Sequence, residues 1–393
     1  AYAALRGLGL ELRSSKPGGS SGERHRRSVK RINTFWSHSW SASPWNKIST
    51  LLLFYNGWPS AVAGLSGSLL GAFLLAAWTS SPEVNGILAM VCGGCACFVV
   101  LIVWKHHGSI FLDKACIHQH DKEQKDAGIL SLSFALRRSD TVLFLWDETY
   151  LTRRWCVYEL AARLKQAKDD GKEARAIKVL ISGQGGLTLL ACVVHFMVVV
   201  LLSRLTGFLG GWLAFRGMLN HTVITIILAP LLLKIVSDVH ALQKQARRFS
   251  LAGTQCFCCT CGHKDPTTNQ PMGCDRELID EAMHQWFGTS HAFDSYIRNE
   301  FLEHHANVNH RLPYRYSLFI AMPSLWMGIG QGAWLMWRGR AAQGLGCLAL
   351  GALYLAVFGP LGYNMICGMF HYALGEETCG SGMCRARARR KAL

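Results

Sequence analysis

The densest reactive chemistry in the chain is the run Cys256-Phe-Cys258-Cys259-Thr-Cys261-Gly-His263, with Cys274 eleven residues further on. Cys256/Cys259 and Cys258/Cys261 each have two intervening residues, the spacing that lets two thiolates reach one ion. His263 and Cys274 complete a tetrahedron, so the expected ligand set for a structural zinc is drawn from Cys256, Cys258, Cys259, Cys261, His263 and Cys274. The second half of this set lacks a close pair of its own. Two other uses of the thiols therefore stay open: S-palmitoylation beside a membrane segment and a basic helix, and unligated inert or redox-active cysteines. A second Cys/His group, Cys116, His118 and His120 with Asp121, is either a metal site or a solvated loop.

Half of the residues are apolar and only 17% are charged, below the roughly 25% of soluble domains. The apolar residues are gathered in long uncharged blocks. A bilayer core takes about 20 residues of helix. Runs at 60–78, 84–104, 179–203, 316–337 and 341–370 meet or approach that length, and 217–233 is marginal. They fall into three pairs with short connections, so the chain is expected to cross the membrane six times as three helical hairpins. The third and fourth runs could instead form a re-entrant or interfacial pair, because Arg204 and Arg216 lie close to them. His195 stands alone in its run and His221 lies near the start of its own. Few ionisable residues mark an ion pathway, and the Gly64/Gly67/Gly71 and Gly344/Gly346/Gly351 stretches fit close helix packing.

The net charge is +16, and its placement carries more meaning than its size. The tails and the two long polar segments hold 36 Lys and Arg, against four in the short connections. The positive-inside rule then puts both termini and both polar segments in the cytosol. Basic residues flanking the spans also fit contacts with anionic lipid heads. No basic groove interleaved with aromatics suggests nucleic acid. Cytosolic cysteines face a reducing compartment, so disulfides are not expected there, and Cys92, Cys95 and Cys97 read as small packing residues within a span. The chain starts without Met, and its first 31 residues are Gly/Ser/Arg-rich. They read as a disordered basic tail or, with few acidic residues, as a transit peptide.

Between the spans the pattern becomes alternating. Strands are expected at 109–113, 141–146 and 176–181, and helices at 127–137 and 152–168. Strand–helix alternation indicates an α/β unit with parallel strands. Further on, 238–250 reads as a basic amphipathic helix, 275–286 as a helix capped by Asp275, and a second helix as capped by Ser290. That helical pair is expected to pack on the α/β unit or at the membrane surface.

Phe111-Leu112-Asp113-Lys114, Gly128-Ile129, Ser139, Tyr150 and Trp155-Cys156-Val157-Tyr158-Glu159-Leu160 resemble a TIR domain. Ile32-Asn-Thr-Phe-Trp-Ser-His-Ser-Trp40 resembles the first TIR strand, and 47–55 its first helix. From residue 32 onward the chain also resembles a family of multi-pass membrane proteins of protist algae. The shared features are the Ser-His-Ser-Trp start, Asp113 to Gln119, the Trp-Cys-x-x-Glu-Leu helix and the later Cys-rich and Cys-Asp-Arg segments. That family implies no activity.

The TIR resemblance implies a flavodoxin-like α/β fold with a parallel sheet, split by the first transmembrane hairpin. The expected organisation is a basic tail (1–31), the first TIR-like strand and helix (32–56), hairpin one (57–104), the rest of the TIR-like domain (105–184), hairpin two (185–236), a Cys-rich helical segment (237–315), hairpin three (316–370) and a basic tail (371–393). TIR domains either self-assemble as adaptors or hydrolyse NAD+. For the second class the resemblance implies Glu159 as the catalytic carboxylate, with Ser37, His38, Ser39 and Trp155 around the nucleotide. A carboxylate there would stabilise an oxocarbenium-like cation. Trp146, where a small residue is usual, and Trp40 would crowd that site. The expectation is a membrane-anchored signalling or assembly protein that self-associates, with a membrane-tethered NAD+ hydrolase and a transporter or channel as alternatives.

Overall fold

The computed structural model describes residues 29–116, 131–169, 177–205, 213–264, 269–271, 273–301 and 312–378. Most of both expected tails, the group His118/His120/Asp121 and most of the loop around it lie outside these; residues 371–378 of the expected C-terminal tail belong to the last helix. The chain divides into two compact units. One comprises Ala1–Tyr55, Ile102–Gly186 and His240–Val308, and the other Asn56–Leu101, Leu187–Val239 and Asn309–Leu393.

The first unit is built on a parallel sheet. Strands β1 (Ile32–His38), β2 (Ile110–Phe111), β3 (Ser139–Trp146) and β4 (Ile177–Ile181) lie in the order β2-β1-β3-β4. All neighbours are parallel, with Phe35 opposite Val142, Ser37 opposite Phe144 and Trp146 opposite Ile181. Side chains alternate between the two faces of a strand. Trp36, Leu143 and Leu145 therefore share one face, where they join Ile48, Leu51 and Leu52 of α1 (Pro44–Leu75) in a buried core. Phe35, Ser37, Val142 and Phe144 share the other, toward α5. A parallel sheet covered on both faces explains why these strands are apolar runs and not clean alternations.

Two apolar helices, α1 and α2 (Pro82–Val103), lie in the chain between the neighbouring strands β1 and β2. The helix expected at 47–55 is not a separate element: α1 runs unbroken from Pro44 to Leu75, through Pro59. The short helix α3 (Asp113–Cys116) follows β2. Only Leu132–Arg137 of the helix expected at 127–137 falls in the described residues, as α4. A single 3-10 turn, Tyr150–Thr152, leads into α5 (Arg154–Asp169).

The Cys-rich and helical segment is docked on α5. Gln255 pairs with Arg153, with Gln255 N donating to Thr152 O at 2.8 Å and Arg154 N to Gln255 O at 3.0 Å. The buried Arg154 donates to Leu251 O, Thr254 Oγ1 and the Asp280 carboxylate. Helix α8 (Phe257–Thr260) carries the cysteines, and α9 (Asp275–Phe287) and α10 (Ser290–Tyr296, extended by a π turn at Ile297–Phe301) follow. Trp286 of α9 packs on Tyr158, and Phe301 on Trp146. Two expected caps are displaced by one residue. Cys274 holds the N-cap position of α9 without a side-chain bond, so Asp275 is its first residue, and Thr289, not Ser290, caps α10 by accepting from Ala292 N.

The second unit contains six helices long and apolar enough to cross a membrane: Pro44–Leu75, Pro82–Val103, Gln184–Leu205, Leu219–Arg247, Tyr314–Trp337 and Ala341–Leu374, the first, third and fourth running on from the first unit. They lie in α1, α2, α6 (Gln184–Leu205), α7 (Leu213–Arg247), α11 (Tyr314–Trp337), and α12 (Ala341–Leu353) continued through a π turn into α13 (Gly359–Thr378). Their outward faces leave Leu70, Leu74, Met197 and Ile226 about two-thirds exposed. So many bare apolar side chains suit a lipid environment and not water. Inside, Asn85 Nδ2 donates to Ala72 O and to Gly330 O at 3.1 and 2.8 Å. A Cβ on Gly330 would sit 2.5 Å from the Gly86 Cα, so α2 and α11 touch backbone to backbone.

Candidate functional site

Ser37, at the carboxyl end of β1, and Glu159, one turn into α5, meet at 2.5 Å between Ser37 Oγ and Glu159 Oε2. Ser37 Oγ is also 2.5 Å from Tyr150 OH, which donates to Cys156 O at 3.0 Å. Three hydrogen bonds thus run from Glu159 through Ser37 and Tyr150 to a backbone carbonyl. Ser37 Oγ donates to Glu159 Oε2, and burial pushes the Glu159 carboxyl well above its ordinary value against the opposing effect of that hydroxyl. Burial likewise raises the Tyr150 phenol and the Cys156 thiol well above their usual values, so Cys156 is a neutral thiol resting 3.5 Å from His38 O.

The neighbouring strand end is equally closed. Ser37 and Ser39 have no exposure, and His38 and Glu159 are buried. Ser39 Oγ accepts from Thr149 Oγ1 at 2.6 Å, and Ser39 O accepts from Lys47 Nζ at 3.1 Å. Trp40 stands edge-on to His38, with ring centroids 4.5 Å apart, and its indole donates to Asp113 Oδ2 at 2.7 Å. His38 Nε2 has no partner among the described residues. Burial outweighs the nearby Asp113 and lowers the imidazole to about 4, so His38 is neutral. Trp155 directs its indole elsewhere, donating to Asp275 Oδ2 at 2.9 Å and meeting Tyr158. Trp146 is buried against Phe301.

The structure therefore brings Ser37, His38, Ser39 and Glu159 together and ties Trp155 to the cysteine-bearing segment. Tyr150, Thr149, Lys47 and Asp113 are equal members of the cluster. Sequence reasoning gave them no role, although Tyr150 and Asp113 stood within the motifs.

The cysteine cluster lies in the same unit. Cys256, Cys258 and Cys259 form one group of facing ligand atoms, and Cys258, His263 and Cys274 another. Cys261 belongs to neither. Sulfur separations are 4.0 Å for Cys258–Cys259 and 3.9 Å for Cys259–Cys274. A tetrahedral ion with metal–sulfur bonds of about 2.3 Å needs edges of roughly 3.8 Å, so these thiols fit. Asp275 N donates to Cys258 Sγ at 3.4 Å, the kind of outer hydrogen bond that orients a ligand. Gly262 and His263 both take left-handed conformations, φ 61° and 57°. Such a backbone is costly for histidine and aims its ring back toward Cys258. This cluster could hold a metal ion. Asp275 joins it to Trp155, through its backbone N–H on one side and its carboxylate on the other.

Compared with protein-family models, curated proteins and solved structures, the chain matches none.

Proposed function

We propose that this multi-pass membrane protein acts in signalling or assembly, through self-association of a TIR-like α/β unit held in the cytosol with both termini. The motifs around Ser37, Tyr150 and Glu159 support the TIR likeness, as does the parallel order β2-β1-β3-β4 with its two apolar helices between β1 and β2. The excess of Lys and Arg in the tails and long polar segments supports the orientation.

The observation that favours assembly over NAD+ hydrolysis is the state of Glu159. An oxocarbenium-like cation is stabilised by a carboxylate facing it. Here the carboxyl is buried, its charged form is disfavoured by that burial, and it is already bonded to Ser37, which is bonded in turn to Tyr150. In this arrangement Glu159 acts as a joint between β1 and α5. The second component is a structural zinc held among Cys256, Cys258, Cys259, Cys274 and His263, the members of the two facing groups that share Cys258.

The test is NAD+ turnover by the purified full chain in detergent, beside Glu159→Gln, with the association state measured on the same samples. Neither protein is expected to cleave NAD+, and both are expected to run as dimers or larger. Turnover that disappears in Glu159→Gln would establish the membrane-tethered hydrolase instead. A strictly monomeric chain across the accessible concentrations would sink the assembly reading.

A further inference from the structure

We propose that a cavity among the membrane-spanning helices binds a neutral, hydrogen-bonding organic molecule of roughly ten non-hydrogen atoms. This rests on the second unit alone and is independent of what the α/β unit does. The cavity has a volume of about 130 Å3, and its polar lining is Ser203, Asn220, His221, Ser324, Gln331 and Tyr354. A water needs roughly 10–15 Å3 of such space, which sets the size of the occupant.

Three observations set its chemistry. First, Asn220 Oδ1 and His221 Nδ1 are shielded from solvent and have no hydrogen-bond partner among the described residues. Unsatisfied polar atoms at such depth are costly, so an occupant that bonds them is favoured over a lipid alkyl chain. Second, no Asp, Glu, Lys or Arg among the described residues lines the cavity, so a charged occupant would lack a counter-charge from them. Third, the polar wall is held in place from behind. His195 Nε2 lies 2.8 Å from Ser324 Oγ, His195 Nδ1 lies 3.1 Å from Tyr363 OH, and Tyr363 OH lies 3.3 Å from Tyr354 OH. His195, isolated in the sequence, is thus the centre of a network. Tyr354 opens a π turn, Tyr354–Phe358, and meets the edge of His221 at 4.9 Å. Such turns insert one residue into a helix and recur at functional sites.

Cys347 also lines the cavity and supplies the readout. N-ethylmaleimide is neutral and of matching size. The Cys347 thiol adds across its C=C bond: an S–C bond forms, the π bond breaks, and the thiol proton passes to the adjacent carbon. The full chain in detergent is treated with increasing N-ethylmaleimide, and adducts on Cys347 and on the exposed Cys95 are followed by peptide mass spectrometry. The Cys347 rate is expected to saturate with reagent concentration while the Cys95 rate rises linearly. Benzamide should slow Cys347 only, and a sulfonated maleimide should react there at least about ten-fold more slowly, one hydrogen-bond-sized free-energy step. Benzamide carries amide N–H donors that Asn220 Oδ1 can accept, so Asn220→Leu should raise the concentration of benzamide that half-protects Cys347 by about the same factor. A linear Cys347 rate, no protection by benzamide, equal labelling by the charged reagent, or no reaction before denaturation would each overturn the proposal. If Asn220→Leu does not fold, the comparison of reagents on the unmodified chain still decides.

Discussion

Glu159 and His38 sit in adjoining parts of one buried cluster, and burial disfavours the charged form of each. Their effects on stability run in opposite directions with pH. His38 is lowered to about 4 in the fold from its ordinary 6.5. Between those values the unfolded chain binds the extra proton, so this contribution is complete above pH 6.5 and is lost as pH falls toward 4. Its full size is about 3 kcal/mol. Glu159 is raised well above 4.5. The fold then holds the extra proton, so this contribution is present below pH 4.5 and is lost as pH rises toward the folded value. Glutamine at 159 keeps the neutral shape and cannot ionise. The thermal midpoint of Glu159→Gln minus that of the parent should therefore grow between pH 5 and pH 8. A difference that shrinks over that range would mean Glu159 is a carboxylate in the fold, which would revive the catalytic reading. At this scale the sequence shows which residues belong to a motif but not how they are satisfied. Ser37 and Glu159 were legible through the TIR likeness. The burial that raises Glu159, and the run of contacts from it through Ser37 and Tyr150 to the Cys156 carbonyl, arise only in the folded chain.

Among the elements, the short helix α8 and the turn after it are the clearest case of local geometry demanding a ligand. A four-residue helix has little stability of its own, and His263 is held in a conformation that histidine rarely adopts. A zinc ion held among Cys256, Cys258, Cys259, Cys274 and His263 would fix both and anchor the start of α9. The full chain, purified under reducing conditions, should retain stoichiometric zinc. Cys258→Ser should lose it and lower the thermal midpoint by roughly 5–10 °C, at about 2–4 °C for each kcal/mol. Cys261→Ser should change neither. Zinc absent from the parent, with a hydroxylamine-labile acyl group on these cysteines, would replace the metal with lipidation. The elements themselves were legible where period and length agreed, as in α5 and α9. The uncharged run 179–203 serves two structures: its first residues belong to strand β4, expected at 176–181, and the helix begins at Gln184, beside the hairpin expected from 185. A buried strand and a membrane helix look alike over a few residues. The marginal run at 217–233 and the amphipathic helix at 238–250 are one helix, α7, with Lys234 bonded to Asp238 across the join.

For the whole molecule, six spans were visible as six long apolar runs, because a bilayer sets a length that few other environments require. The pairing of β1 with β2 across a connection holding two such spans was not visible in periodicity, since nothing local to 32–38 names 110–111 as its partner. That pairing carries a topological consequence. An even number of crossings between β1 and β2 leaves both strands on one side of the bilayer, as their shared sheet requires. The same parity holds for the spans before 240–308 and before the C-terminal tail. One orientation would therefore determine all of them, and the orientation proposed from the Lys/Arg excess puts the sheet in the cytosol. In that orientation Ser80, in the connection between α1 and α2, and Arg340, before α12, would face away from the cytosol, and both are exposed. In sealed cells a membrane-impermeant maleimide should label Ser80→Cys and Arg340→Cys directly. It should label Asn299→Cys, exposed in the first unit, only after permeabilisation. The reverse pattern would invert the orientation and move the cysteine cluster into an oxidising compartment, where disulfides compete with zinc for the thiols. A mixed pattern, with Ser80 and Arg340 on opposite sides, would break the parity and mean an odd number of crossings among α2, α6, α7 and α11.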